Sequence, residues 1–422
     1  MAVLYLHVKN YLYKYGLNLI GKRDKRFNVI LLVEDLRCWL RFRYIYKALN
    51  NVDCFSVRIV VAPTLDPRVS EDKDIKASAI LESLAKDGVE GELAYLKGEY
   101  TDLKKFNPDI VFLIYPYDCL RCDTYNSKYV AQFATIFYIN YGFMLSNFKN
   151  LHYENDFFDS CSRMYLESYD QFKNYVNIKG ARWAYKRCVV AGQPQLDAFT
   201  KQSVDDLNEY WPRNRKAQIK RVLIAPHWTF KADQSDGTTI NLYSTFFIFK
   251  NLYQKLPTLY PEVDFVLRAH PLMFNNILEA GLMSAQEIDL FKITFTSYIN
   301  AKIDEDYEDY IKAFVSSDAL ITDGVSFLGE YLLSKKPIIQ TVALNSIGFN
   351  EYGEKISSSN YKATNKDELL GHIEEVVLKN NDYLYSARKD VIDNQIVFPR
   401  IGISNFIVND LKNFMLNRAQ YD

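Results

Sequence analysis

Short runs of consecutive apolar residues recur along this chain, and between them apolar positions return every three or four residues. In the first half, runs at 28–33, 56–62, 110–115 and 135–140 predict strands, while 41–50 and 75–86 predict helices. The second half repeats the rhythm, with strands predicted at 222–225, 265–268, 319–322 and 338–342 and helices at 242–256, 307–314 and 325–333. Continuous rather than alternating apolar runs are what strands buried on both faces require. The pattern therefore predicts an α/β chain with doubly wound parallel sheets. Two such units in tandem predict domains over 1–205, for the acceptor, and 206–400, for the nucleotide donor, facing across a cleft and joined by the polar stretch 201–220 with Pro212 and five basic residues. Past Asn360 the pattern reads as helical. Apolar residues at Phe406, Ile407, Leu411, Phe414 and Met415 predict an amphipathic helix over 404–416, within a closing segment 401–422.

Composition narrows the function classes. At 422 residues with 51 Lys+Arg against 52 Asp+Glu, the formal net charge of -1 supplies no positive field for nucleic acid. The 48% hydrophobic content excludes a disordered chain. The 32 Tyr and 27 Phe suit amphipathic surfaces that meet sugars, lipids or partners. Six cysteines are too sparse for a disulfide scaffold, so a reducing compartment is expected; the Cys119-Leu-Arg-Cys122 spacing lacks a second ligand pair and reads as two semi-buried thiols in a loop. No run of 18 apolar residues exists, and His7, Lys9, Asn10 and Lys14 interrupt residues 1–20. Neither a spanning helix nor a signal peptide is expected, which points to the cytoplasm.

In open α/β sheets ligands bind beyond the carboxyl ends of the strands, so the residues just past each predicted strand carry the candidate chemistry. After 222–225 come Pro226-His227-Trp228-Thr229-Phe230 and then Asp233 and Asp236. Arg268 ends the next strand, followed by His270-Pro271. After 319–322, Asp323-Gly324-Val325-Ser326 opens a helix whose unpaired amides and positive dipole end suit a phosphate. Glu330, four residues past Ser326, is placed to accept from ribose hydroxyls, or else stands solvated with Asp323 as a plain cap. No His cluster stands at ligand spacing, so no metal and no other cofactor is expected.

These segments resemble a known family. Arg268-Ala269-His270-Pro271, the 317–327 segment through Asp323-Gly324-Val325-Ser326, and Lys335-Lys336-Pro337-Ile338-Ile339 look like the C-terminal half of the CDP-glycerol glycerophosphotransferases, the teichoic-acid polymerase family. Ala191-Gly192-Gln193-Pro194-Gln195-Leu196-Asp197 and Ala225-Pro226-His227-Trp228 look like two further motifs of that family, so the resemblance covers about 187–342. It implies a GT-B fold of two Rossmann-like domains, with a cytidine-nucleotide donor held mainly by the second. The family carries a histidine base in an H-G-T-P motif; here Asn140-Tyr141-Gly142-Phe143 stands instead, and a tyrosine with a pKa of about 10 is no base near neutrality.

His-Pro beside a donor phosphate also resembles the bacterial CMP-sugar transferases that handle sialic acid and Kdo. Those enzymes follow an early strand with an acidic pair, as Glu34-Asp35 follows 28–33 here. The leading expectation is thus a transferase that moves a sugar, a ulosonic acid such as Kdo, from a CMP donor onto a lipopolysaccharide or capsule glycan. The alternatives are a CDP-glycerol or CDP-ribitol polyol-phosphate transferase and a non-catalytic binding protein. Arg268, His270, Pro271, His227, Asp323, Gly324, Ser326 and Glu330 would hold the donor. Asp233, and after it Glu34 and Asp35, would act as catalytic carboxylate. A lipid-linked glycan acceptor is expected, and residues 1–26, rich in Tyr, Lys and Arg, suit peripheral contact with an anionic membrane surface.

Overall fold

In a computed structural model of the chain the described residues are 26–66, 72–147, 153–200, 209–213, 219–233, 239–305, 310–344 and 346–418. The first domain contains strands β1 (Phe27–Val33), β2 (Phe55–Val61), β3 (Glu92–Leu93), a ribbon of β4 (Tyr95–Leu96) and β5 (Glu99–Tyr100), then β6 (Ile110–Leu113), β7 (Thr135–Ile139), β8 (Arg163–Leu166) and β9 (Cys188–Val190). Its main sheet is parallel, in the order β3-β2-β1-β6-β7-β8-β9. The second domain adds β10 (Lys220–Ala225), a hairpin of β11 (Lys231–Asp233) and β12 (Thr239–Asn241), then β13 (Val263–Leu267), β14 (Ala301–Ile303), β15 (Ala319–Thr322), β16 (Ile338–Thr341) and β17 (Tyr361–Ala363). Its parallel sheet runs β14-β13-β10-β15-β16-β17. Each sheet starts at its centre, winds to one edge and returns to the other side, so the winding reverses between β1 and β6 and again between β10 and β15. Such reversals open a crevice at the carboxyl ends.

The apolar runs are buried on both faces, as the pattern requires. In β1, Val29, Leu31 and Val33 pack with Trp39, Phe42 and Ile45 of the helix Leu36–Asn50, while Ile30 and Leu32 face a second core with Val60 and Val111. In β10, Val222 and Ile224 join a core of the second domain alone, whereas Leu223 and Ala225 join the same core as β1. The facing sides of the two domains thus share one apolar cluster.

Where the structure departs from the pattern, a distant partner explains it. The helix predicted at 41–50 begins at Leu36, because the Asp35 carboxylate accepts from the Cys38 amide at 3.2 Å and caps it. The helix predicted at 242–256 is shortened to Phe246–Tyr253, since the Leu242 and Ser244 amides donate to Phe230 O and Thr229 O, and Pro257 lies in a separate turn of helix at Leu256–Leu259. The segment past Asn360 is not purely helical, for Tyr361–Ala363 is an edge strand beside β16. Strand β8 escaped the pattern because it opens on Arg163, a charged residue buried by its pairing with the distant Asp410.

The helix Ile403–Arg418 belongs to the first domain. Asp410 takes two hydrogen bonds from Arg163 (2.9 and 2.7 Å) and one from Tyr165 (3.2 Å), and Phe414 meets the Phe137 ring edge-on at 5.6 Å. At its start, the Asp197 carboxylate accepts from the Ile403 and Ser404 amides at 2.8 Å each. Among the described residues no helix is long and apolar enough to cross a membrane. Of the 1–26 segment expected to touch a membrane surface, residues 1–25 lie outside the described residues.

Candidate functional site

The two reversals face each other. On the second domain, β10 ends in Pro226-His227, β13 runs into His270, and β15 into Asp323-Gly324. The His227 and His270 rings lie 5.6 Å apart between centroids, with Trp228 against both and Tyr243 edge-on to His227 at 6.0 Å. His270 is fixed by its own turn: its amide donates to Pro226 O at 3.1 Å, and its Nδ1 accepts from the Leu272 amide at 3.1 Å. An accepting Nδ1 places the proton of the neutral ring on Nε2, making that nitrogen a donor. Burial, then the fields of His227 and Arg37, hold His270 well below the usual histidine pKa. Burial alone takes His227 down to about 3, and its Nδ1 lies 2.8 Å from Thr229 Oγ1. The site therefore presents two neutral imidazoles at neutral pH. Pro271 follows His270 in the turn that leads to the helix Met273–Glu279.

Other residues expected at the donor are spent on the scaffold. Arg268 forms a buried ion pair with Asp304, which also accepts from Tyr210 at 2.5 Å, so its guanidinium ties the end of β13 to the end of β14 instead of reaching for a phosphate. Asp323 turns inward: its carboxylate accepts from the His227 amide (2.5 Å), the Thr245 amide (2.5 Å) and the Thr245 hydroxyl (2.7 Å). It fixes the His227 loop, and burial raises its pKa to about 6. The Gly324 amide is taken by Thr322 Oγ1 at 2.8 Å. Glu330 has no exposed surface; it accepts from Tyr310, and burial raises its pKa against the opposing field of Arg41 from the first domain. Fully buried, it has no exposed face to offer a ribose. Ser326 does reach the domain boundary, where a Cβ on Gly142 would lie 3.3 Å from its own Cβ.

The carboxylates divide likewise. Both oxygens of Glu34 are held by Arg121 (2.9 and 2.8 Å) in a buried pair, so it serves as a brace rather than a proton acceptor. Asp35 accepts from Tyr115 (3.1 and 3.0 Å) and Arg37 (3.1 and 2.5 Å), and its pKa is lowered despite burial by Arg37, Tyr115 and the Cys38 amide. Asp233 ends β11 in register with Thr239, which puts its backbone at the tip of a hairpin following β10; its side chain, and Asp236 entirely, lie outside the described residues. Cys119 and Cys122 are unpaired thiols, the first exposed. Among the described residues no three His, Cys, Asp or Glu stand together as a metal site.

Sequence reasoning missed the first domain's wall. Tyr115 and Tyr117 follow β6 and Tyr141 follows β7, their ring centroids 5.4 to 6.4 Å apart, with Arg37 Cζ 5.5 Å above the Tyr115 ring. The Tyr-Pro-Tyr at a strand end was the available signal. The loop 140–146 carrying Tyr141 also bridges the domains. Its Gly142 lies against Ser326, its Phe143 ring occupies the space a Gly329 side chain would need (2.5 Å), and Asn350 donates to Met144 O and Ser146 O. From behind, Glu167 accepts from Asn140 Nδ2 and the Met144 amide, and Gln193 donates to Gly142 O at 2.9 Å.

This pair of doubly wound domains is the GT-B arrangement. Residues 140–345 match the sequence profile of the CDP-Glycerol:Poly(glycerophosphate) glycerophosphotransferase family, a segment that contains the motifs at 187–342 and opens on Asn140-Tyr141-Gly142. That match makes the chain a transferase of the type that uses a cytidine-nucleotide donor. No curated protein matches. Similar solved structures include the wall teichoic acid polymerase TagF (15% identity, TM-score 0.56, covering 100% of this chain and 96% of that one). The UDP-GlcNAc 2-epimerase from Neisseria meningitidis bound to UDP-GlcNAc is similar at 12% identity (TM-score 0.59, 93% and 100%). A third is the S. aureus MnaA-UDP co-structure (13%, 0.57, 92% and 97%). At these identities the structural likeness concerns the fold alone.

Proposed function

We propose that this chain transfers a polyol phosphate from a CDP-activated polyol, of the CDP-glycerol or CDP-ribitol type, to a hydroxyl of a growing polyol-phosphate chain. The observation that carries this reading is the family match over 140–345, whose span includes both imidazole loops and the bridging loop. It favours this donor class over the CMP-linked ulosonic acid expected from the His-Pro motif, and a teichoic-acid-type product over lipopolysaccharide or capsule. In the reaction the acceptor oxygen attacks the β-phosphorus, the bond from that phosphorus to the bridging oxygen breaks, and CMP departs with the electron pair. Charge builds on the phosphoryl oxygens and on CMP, where the Nε2–H of the neutral His270 ring can donate to it. Asp233, on the hairpin after β10, is the carboxylate of first choice to take the acceptor proton; Asp35, held by Arg37 and Tyr115, is second. The acceptor would be lipid-linked, met at the inner membrane face.

The test is donor turnover by the purified chain, followed by ³¹P NMR and CMP release. CDP-glycerol or CDP-ribitol should release CMP only when acceptor is present. Release from CMP-Kdo with none from either CDP-polyol would overturn the proposal.

A further inference from the structure

We propose that Asp35, Arg37, Tyr115, Tyr117 and Tyr141 form the acceptor wall of the cleft, a subsite for a phosphate-bearing polyol chain; the acceptor's identity rests on the transfer reading above. The two sheets each reverse their winding at this cleft, so the fold supplies two crevices, and a transferase needs two bound partners. The second domain's crevice holds the imidazoles. The first domain's holds this cluster, which those loops do not use.

Its chemistry is suited to one ligand class. Tyr115 and Tyr117 lie nearly parallel at 6.4 Å, and Tyr141 closes the group, its hydroxyl 2.8 Å from that of Tyr117. All three rings are half-buried, so they offer faces that pack against the C–H surface of an extended polyol while their hydroxyls stay within a hydrogen-bonded set. Arg37 spends Nε and one terminal nitrogen on a single Asp35 oxygen, and its side chain is 35% exposed against 5% for Asp35. The Asp35 charge is further spread over the Tyr115 hydroxyl and the Cys38 amide, leaving the guanidinium's outer edge as the cationic group on this wall. Arg121 and Arg41 do not compete for that role, since the first is held by Glu34 and Asp118 and the second donates to Arg37 O and faces Glu330 of the second domain. Arg37 also acts electrostatically on His270 of the donor loops. A phosphate on Arg37 with its polyol laid over the tyrosines would present the chain's terminal hydroxyl to the donor.

The test uses the full chain and sn-glycerol 3-phosphate as probe, with glycerol as its neutral counterpart, read by saturation-transfer NMR. Glycerol 3-phosphate should bind, glycerol should bind far more weakly, and saturating CMP should leave the phosphate probe in place. Arg37→Gln and Tyr117→Ala should each weaken the probe at least about tenfold, the scale of one charge-assisted contact or one aromatic face. Tyr117→Phe should retain it, and unchanged thermal midpoints should establish that the variants fold. During turnover the same two changes should raise the acceptor KM and leave the donor KM within about twofold. Displacement of the probe by CMP, probe binding indifferent to both substitutions, or no binding to the wild type would each overturn the subsite. Because binding is measured without turnover, wild-type inactivity toward CDP-polyols would sink the transfer reading while leaving this measurement intact.

Discussion

Glu167→Gln tests how the bridging loop is held. Glu167 follows β8, is 1% exposed, and carries the loop through Asn140 Nδ2 on one oxygen and the Met144 amide, at 3.0 Å, on the other. Burial pushes its pKa from an ordinary 4.5 to about 7. A carboxyl raised in the folded state contributes its full share of stability below the unfolded pKa and loses it as pH climbs toward the folded one. The shift spans 2.5 units at about 1.4 kcal/mol each, so the wild type should lose about 3 kcal/mol from this group between pH 4.5 and 7. Glutamine keeps one acceptor for Met144 and cannot ionise. Its amide would meet the Asn140 donor, but Asn140 Oδ1 is buried with no hydrogen-bond partner, and a flip of that amide supplies the matching acceptor. The variant should therefore gain on the wild type steadily from pH 4.5 to 7 and by a constant margin above. Urea denaturation of both proteins at half-unit intervals from pH 4.5 to 8 measures this. A margin independent of pH, or one that grows toward acid, would refute the assignment of burial as the dominant cause.

Further outcomes are expected. His270→Ala should weaken CMP by about 10- to 100-fold in calorimetry, the range of one charge-assisted phosphate contact, with little change in thermal midpoint; unchanged affinity would remove His270 from the donor site. Asp233→Asn should lower turnover at least about a hundredfold while CMP still binds, and if Asp35→Asn alone is dead the base belongs to the first domain. Asp410→Ala strands the buried Arg163 guanidinium and should cost about 3 to 5 kcal/mol in global denaturation, whereas a helix merely appended to the second domain would lose far less. EDTA should leave turnover intact, since the Nε2–H of His270 is assigned the phosphate charge; strict dependence on Mg²⁺ would count against that role.

The α/β class, the two sheets and the loops that border the cleft were legible in the sequence. A strand buried on both faces must be apolar at every position, and a ligand site at its carboxyl end follows from the winding. Periodicity is local, so Val29 through Val33 announce a central strand without reference to any other residue. The partner of a charged side chain is not local. Arg268 and Asp304, Glu34 and Arg121, and Arg163 and Asp410 stand 36, 87 and 247 positions apart. A buried ion must take whatever opposite charge the fold brings to it, and until the strands are ordered nothing marks Arg268 or Glu34 as a brace. Sequence reading therefore named the His227 and His270 loops, which the fold brings together, but not the ion pairs that hold Arg268 and Glu34. The tyrosine wall shows the same limit, for Tyr115, Tyr117 and Tyr141 come from two strand ends that become neighbours only because β6 and β7 pair in parallel. Apolar pattern decides which segments are inside; which polar groups remain available for chemistry is decided by the pairing of those segments in three dimensions.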